Sequence, residues 1–273
     1  MTTLLHITAS ARNGRSLSRR LSRAFIDAWQ ELEPAAYIIT RDVGVNPPPI
    51  ITEEWIAAAF TPDEDITPAQ REQLRLSDEL IDEVDRADLI VMGTPMYNYG
   101  MPAALKSWFD HVIRIRKTFS FDLARGDFPL EPIMNGKQLV ILSSHGEFGF
   151  GPGGVREKMN HLETHILTCA RYLGVQESHS ISISYQDSAM HDTRHRWPMH
   201  LRRHRCWHVN SRSLASIPPK RCAAASSRVK MTCTTGYCWL MIMRMATRLH
   251  GSCLQNAAFT PGSERTLFGD IEC

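Results

Sequence analysis

Residues 93–115 read GTPMYNYGMPAALKSWFDHVIRI and set Met96, Tyr97, Asn98 and Tyr99 between an apolar strand and an amphipathic helix. A loop that only had to turn would use Gly, Asp or Ser. Large flat or polarisable side chains at such a place offer contact surface to a flat ligand. Upstream, DLIVMGT (88–94) is short and apolar, as a strand buried on both faces must be. Downstream, Leu105, Trp108, Phe109, Val112 and Ile113 recur at helical spacing, with Pro102 suited to the first turn, where its missing N–H costs nothing.

The same alternation extends in both directions. Apolar runs at 4–8, 37–40, 138–144 and 180–184 read as four further strands, mostly buried on both faces. Between them lie three more helical stripes: Leu17, Leu21, Ala24, Phe25, Ala28 and Leu32; Leu76, Leu80, Ile81, Val84 and Ala87; and Val155, Met159, Leu162, Ile166, Cys169 and Leu173, closed by Gly174. Strands that alternate with helices imply an α/β fold with a doubly wound, five-stranded parallel sheet. Ligands are then expected beyond the carboxyl ends of the strands.

Three loops occupy those ends. SARNGRSLS (10–18) supplies hydroxyls and a helix N-terminus without an acidic residue, which suits an anion, although Ser16 also suits a plain helix N-cap. No G-x-G-x-x-G or Walker pattern is present. The second loop is the one at 96–99. The third, SSHGEFGFGPGG (143–154), carries glycines that let backbone approach a ligand, or that serve only a mobile surface loop. One phosphate-type loop and two loops able to sandwich a ring describe a mononucleotide site, and a three-ring flavin fits it better than adenine.

Composition sets the outer bounds. No apolar run approaches the roughly 20 residues that span a bilayer, and the start of the chain lacks a signal-peptide pattern, so a cytoplasmic protein is expected. The net charge of +2 hides a division: residues 1–187 carry 18 Lys and Arg against 25 Asp and Glu, residues 188–273 carry 13 against 4. The basic tail also holds six of the seven cysteines and half of the histidines, with little apolar period. An odd cysteine number without a secretory signal argues against a disulfide framework.

The quoted stretch resembles the P-M-Y-N-F-x-[IM]-P-x-x-L-K-x-x-[IF]-D signature of the FMN-dependent NADH azoreductases, a flavodoxin-like family of quinone and azo-dye reductases. RKTFSF (116–121) is similar to the family's R-x-T-F-x-[YF] run, and the serines of 10–18 to its phosphate loop. The resemblance covers residues 1–187 and stops there. It implies that Ser10, Ser16, Leu17 and Ser18 hold the FMN phosphate, and that Met96, Tyr97, Asn98 and Tyr99 lie along the isoalloxazine. Ser144, His145, Gly146 and Glu147 would close the other side. His145 stands where the family has Arg and Glu147 where it has Gly, exchanges that remove a cation and add a carboxylate. Phe121 matches an aromatic of the substrate pocket, though core packing would also explain a Phe.

The resemblance further implies two-electron ping-pong transfer from NADH through FMN to a quinone or azo compound, in a homodimer with the flavin near the interface. No metal and no catalytic side chain is required, with proton donation by His145 the one alternative. Rival readings are a flavodoxin-type electron carrier, against which the long segment after the third helix counts, and a carrier-protein phosphodiesterase, for which no metal cage or nucleophile elbow is present. The tail could be a nucleic-acid arm, as RHRWPMHLRRHRCWH mixes Arg, His and Trp, or a zinc module, yet Cys206-x-His208 and the Cys233, Cys238 pair lack a zinc spacing. Translation in a shifted reading frame accounts best for the abrupt change of composition. Residues 188–273 are then expected to be largely irregular, with GYCWLMIMRMATRLHG (236–251) the one stretch of helical spacing.

Overall fold

The computed structural model describes residues 1–184 and the backbone of residues 207–210. Elements follow in the order β1 (Thr3–Thr8), α1 (Leu17–Leu32), β2 (Tyr37–Asp42), α2 (Glu53–Phe60), α3 (Pro68–Arg86), β3 (Leu89–Pro95), α4 (Ala103–Val112), β4 (Phe119–Phe121), β5 (Leu130–Pro132), β6 (Lys137–Ser144), α5 (His161–Ala170), β7 (Val175–Ile183) and β8 (Trp207–Asn210). Parallel strands β2-β1-β3-β6-β7 form the flavodoxin-like order, and β8 adds an antiparallel sixth strand beside β7.

Period-2 alternation on the strands divides the core into two layers. Leu5, Ile7, Ile90, Met92, Leu139 and Ile141 face α3, α4 and α5. Leu4, Leu89, Val91, Val140, Leu142 and Ile181 face α1, which brings Leu21, Phe25 and Ala28 against them. The central strand β3 is buried throughout, as its unbroken apolar run requires.

Several sequence expectations need correction. Strand β2 is an edge strand, half exposed rather than buried on both faces. Pro102 occupies the N-cap position of α4, one residue before the first turn. The helical stripe expected over 155–173 forms α5, which starts at His161, so Val155 lies outside it and is 81% exposed, and Met159 belongs to a short 3-10 turn. Strand β7 begins at Val175, five residues before the run at 180–184. Helix α2 has no counterpart in the sequence pattern because eight residues give too little periodicity. Its Thr52 cap and acidic first turn are the available signals.

Within the tail, Trp207–Asn210 pairs with β7 through Ile183↔Trp207 and Ile181↔Val209 and covers an edge that would otherwise be open. The stretch 236–251 lies outside the described residues, as do Cys206, Cys233 and Cys238.

A buried histidine gives the fold a pH dependence. His6, on β1, is 8% exposed and its Nε2 has no hydrogen-bond partner. Burial, reinforced by the charges of Arg23 and Arg19 against the opposing pull of Asp42, lowers its pKa from 6.5 to about 4. Folded chain stays neutral where unfolded chain takes a proton, so the group costs stability as pH falls from 6.5 towards 4 and nothing further below. The loss amounts to about 3 kcal/mol over that window. Urea unfolding of His6→Gln from about pH 4 to 7 is expected to show a shallower decline than the parent.

Candidate functional site

Parallel register brings three strands to one level. Thr8 lies opposite Gly93, and Pro95 opposite Ser144. Beyond those pairs the main chain continues the ladder, since Ala9 N donates to Gly93 O and Met96 N to Ser144 O, each at 2.9 Å. The loops at 10–18, 96–99 and 144–150 therefore leave the sheet side by side.

In the first loop Ser16 caps α1: its Oγ accepts from Arg19 N at 3.3 Å and lies 3.2 Å from Ser18 Oγ, while its carbonyl accepts from Arg20 N. Of the amides a helix N-terminus leaves without intrahelical acceptors, those of Leu17 and Ser18 remain at the helix mouth. The first turn carries no acidic residue. Ser10, Ser16 and Ser18 are all nearly fully buried, and Ser10 Oγ accepts from Arg12 N. In this conformation their hydroxyls brace the loop. The N-cap reading of Ser16 and the anion reading of the loop are thus compatible, because they use different atoms.

The second loop is a tight turn. Tyr97 N donates to Gly100 O and Gly100 N to Tyr97 O, both at 3.0 Å, with Asn98 and Tyr99 at φ 47° and 67°. Positive φ at both central residues is the type I′ geometry, for which Asn then Gly is preferred. Tyr in the second place is held in a strained region, and strain of this kind gathers at functional sites. The geometry leaves Tyr97 and Tyr99 about two-fifths exposed (39% and 41%) while Met96 packs against the core.

The third loop meets the second through Phe150, whose ring lies 6.2 Å from Tyr99 and 5.1 Å from His145, and the start of α5 meets it through His161 N, which donates to Tyr99 O. Its glycines close the loop upon itself: a Cβ on Gly154 would lie 2.3 Å from Gly149 O. His145 is 2% exposed, with Nε2 3.1 Å from Ser143 Oγ, so its side chain is directed into the protein and not across the loop mouth. Beside it, burial pushes the Glu163 carboxyl above its ordinary pKa, against the opposite pull of Ser180, Asn160 and Ser143. Glu147 pairs with Arg156 at 3.1 Å, and Arg156 lies 5.0 Å over the ring of Phe148. The carboxylate at 147 comes with its own cation.

Ser144 stands apart. It is 1% exposed where β6 ends, and its Oγ has no hydrogen-bond partner. An orphaned hydroxyl buried in this way costs about 1 to 3 kcal/mol. Among the described residues no group of His, Cys, Asp or Glu could hold a metal.

Phe121 is not brought to these loops in the same way. It lies on the β4–β5 hairpin, paired with Leu130 and 51% exposed, which removes the core-packing explanation. The hairpin is anchored at the amino-terminal side of the sheet, where Phe119 meets Tyr172 at 5.7 Å and Met134 and Asn135 abut Gly174. Arg19 escapes the sequence pattern, although a cation in the first turn of a helix opposes the helix dipole and so signals a partner. That partner is Asp42.

The family described as Flavodoxin-like fold matches residues 2–201. The FMN-dependent NADH:quinone oxidoreductase 2 of Colwellia psychrerythraea is 56% identical over 202 residues, covering 71% of this chain and 91% of that protein. The FMN-dependent NAD(P)H:quinone oxidoreductase 1 of Pseudomonas aeruginosa is 39% identical over 189 residues, covering 69% and 89%. Among solved structures, the azoreductase of Bacillus anthracis superimposes with a TM-score of 0.61 at 20% identity, covering 69% of this chain and 89% of that one, a likeness of fold. Among the described residues no helix is long and apolar enough to cross a membrane.

Removing the orphaned hydroxyl tests the site without a ligand. Ser144→Ala is expected to stabilise the ligand-free protein by about 1 kcal/mol, a rise of roughly 2 to 4 °C in Tm by calorimetry.

Proposed function

The chain belongs to the flavodoxin-like family of FMN-dependent NADH:quinone oxidoreductases, and from that premise we propose that the three loops at the carboxyl ends of β1, β3 and β6 are its flavin site. It is an oxidoreductase that draws two electrons from NADH and delivers them to a quinone. FMN supplies the redox chemistry when bound. The chain supplies position, and each loop has a distinct part. Leu17 and Ser18 amides, with Ser10 and Ser16 bracing them, meet the phosphate. Met96, Tyr97, Asn98 and Tyr99 lie along one side of the ring system, and Ser144, His145, Gly146 and Glu147 form the other wall, with His145 acting by packing. A flat azo compound would occupy the same place as a quinone.

The buried, unpartnered Ser144 Oγ at the end of β6 carries this reading, because a hydrogen bond from a ligand seated between the loops would satisfy a hydroxyl that otherwise costs stability. FMN is favoured over FAD by the single anion loop and the absence of a dinucleotide fingerprint. A homodimer in the cytoplasm completes the proposal, with the flavin domain taken as residues 1–187. Ile50, Phe60, Phe121 and Phe128 are each exposed, and a second copy would cover apolar side chains of this kind. Phe121 would serve the substrate pocket in that assembly.

Purified protein is expected to show flavin absorbance near one FMN per chain. Steady-state NADH oxidation with a quinone is expected to give parallel double-reciprocal lines, since both reactants use one place in turn. Intersecting lines would require a separate nicotinamide site, and absence of turnover would favour an electron carrier. Ser144→Ala, stabilising without ligand, is expected to weaken FMN about three- to tenfold in fluorescence titration, the worth of one hydrogen bond.

A further inference from the structure

The first loop is held by a side chain that does not face its mouth. Arg19, in the first turn of α1, sends Nε to Arg12 O at 2.9 Å, Nη2 to Ser10 O at 2.6 Å, and Nη1 to Thr8 Oγ1 at 3.1 Å. The same guanidinium makes a two-pronged bond to Asp42 at the end of β2, with Nη1 to Oδ2 at 2.6 Å and Nη2 to Oδ1 at 2.8 Å. One planar group thus ties together the ends of β1 and β2, the helix start and two carbonyls of the loop. Lysine, a single point charge, could not span them. On the neighbouring side, Gly44 N donates to Thr8 O, and a Cβ on Gly44 would lie 2.2 Å from Ser10 O. Ser10 is therefore confined between a fork of donors and a bare backbone.

Burial opposes ionisation of Asp42, but the hydrogen bond and charge of Arg19, aided by Val45 N–H and Thr8, outweigh it and hold the carboxyl below its ordinary pKa. The two charges cancel locally. A guanidinium engaged on a carboxylate and two carbonyls has little left to offer an anion.

We propose that Arg19 is a positioning residue for the phosphate end of the site: it turns the Ser10 and Arg12 carbonyls away from the loop mouth, so that the enzyme's preference for phosphorylated flavin over riboflavin depends on the Arg19–Asp42 pair. The inference rests on the flavin-site reading above and goes beyond it in naming the residue pair that sets this preference. Carbonyl oxygens facing the mouth would repel a phosphate, whereas amides attract it. Riboflavin, lacking the phosphate, does not sense the difference.

Titration of FMN and riboflavin into ligand-free protein tests this, with melting temperature followed for each variant. Arg19→Gln and Arg19→Lys are both expected to weaken FMN by about tenfold or more and to change riboflavin by less than about threefold. Asp42→Asn separates positioning from direct charge attraction. If Arg19 positions the loop, loosening its anchor weakens FMN. Tighter FMN binding by Asp42→Asn would make Arg19 a direct ionic ligand and overturn the proposal. So would an unchanged FMN-to-riboflavin ratio in Arg19→Lys, or equal loss of both flavins. Should Arg19→Gln not fold, Arg19→Lys and Asp42→Asn still decide the matter. Failure of the parent protein to bind FMN would instead remove the site assignment itself.

Discussion

Everything at the site depends on strands β1, β3 and β6 ending together. Parallel pairing with Thr8 opposite Gly93 and Pro95 opposite Ser144 fixes that level, and the bonds Ala9 N to Gly93 O and Met96 N to Ser144 O carry it into the loops. A slip of one residue in any pair would invert every side chain of that strand between the two faces. Because both faces of β1 and β6 are apolar, polarity does not distinguish the two registers; the close packing of Leu5, Ile7, Leu139 and Ile141 on one face and of Leu4 and Val140 on the other selects one. Burial of the core thereby sets the position of loops that contribute little to it.

Charge at the loops follows a common rule. Asp42 is matched by Arg19 and Glu147 by Arg156. Glu163, buried among Ser143, Asn160 and Ser180, is driven towards its neutral form by desolvation. Glu147, which in isolation would add negative charge to the third loop, becomes part of a pair with Arg156 stacked on Phe148. With these carboxylates matched or neutralised, the helix mouth at Leu17 and Ser18 adds its attraction for an anion to that of Arg12 and Arg15 in the same loop.

The strained turn at 97–100 shows the same economy. Asn98 and Tyr99 both take positive φ, where Tyr is disfavoured, and the turn survives because Tyr99 O is bonded by His161 N and its ring lies near Phe150. On the opposite side of the molecule the α1 face of the sheet has one helix over it among the described residues, and β7 is only partly buried. Strand β8 covers the edge of β7 rather than its face.

Much of the fold is legible without coordinates. Strand-helix alternation implies the sheet, since apolar runs bounded by helical stripes have few other solutions, and it places the three loops at one edge, where the structure has them. The loop at 96–99 draws attention because bulky aromatics are misplaced in a plain turn. What stays hidden has a physical cause in each instance. Short α2 lacks the length for periodicity, and Phe121 can be placed on its exposed hairpin only once pairing with Leu130 is known. His145 turns inward because Ser143 and Phe150 are there to receive it. Arg19 meets Asp42 across 23 positions of sequence, a distance that local pattern does not cross and that β1–β2 pairing closes. Sequence by itself determined which segments are the main strands and helices and which loops join them at the carboxyl edge, because those depend on neighbours along the chain. Only the tertiary structure decided which polar atoms face the mouth and which brace it, because that depends on neighbours in space.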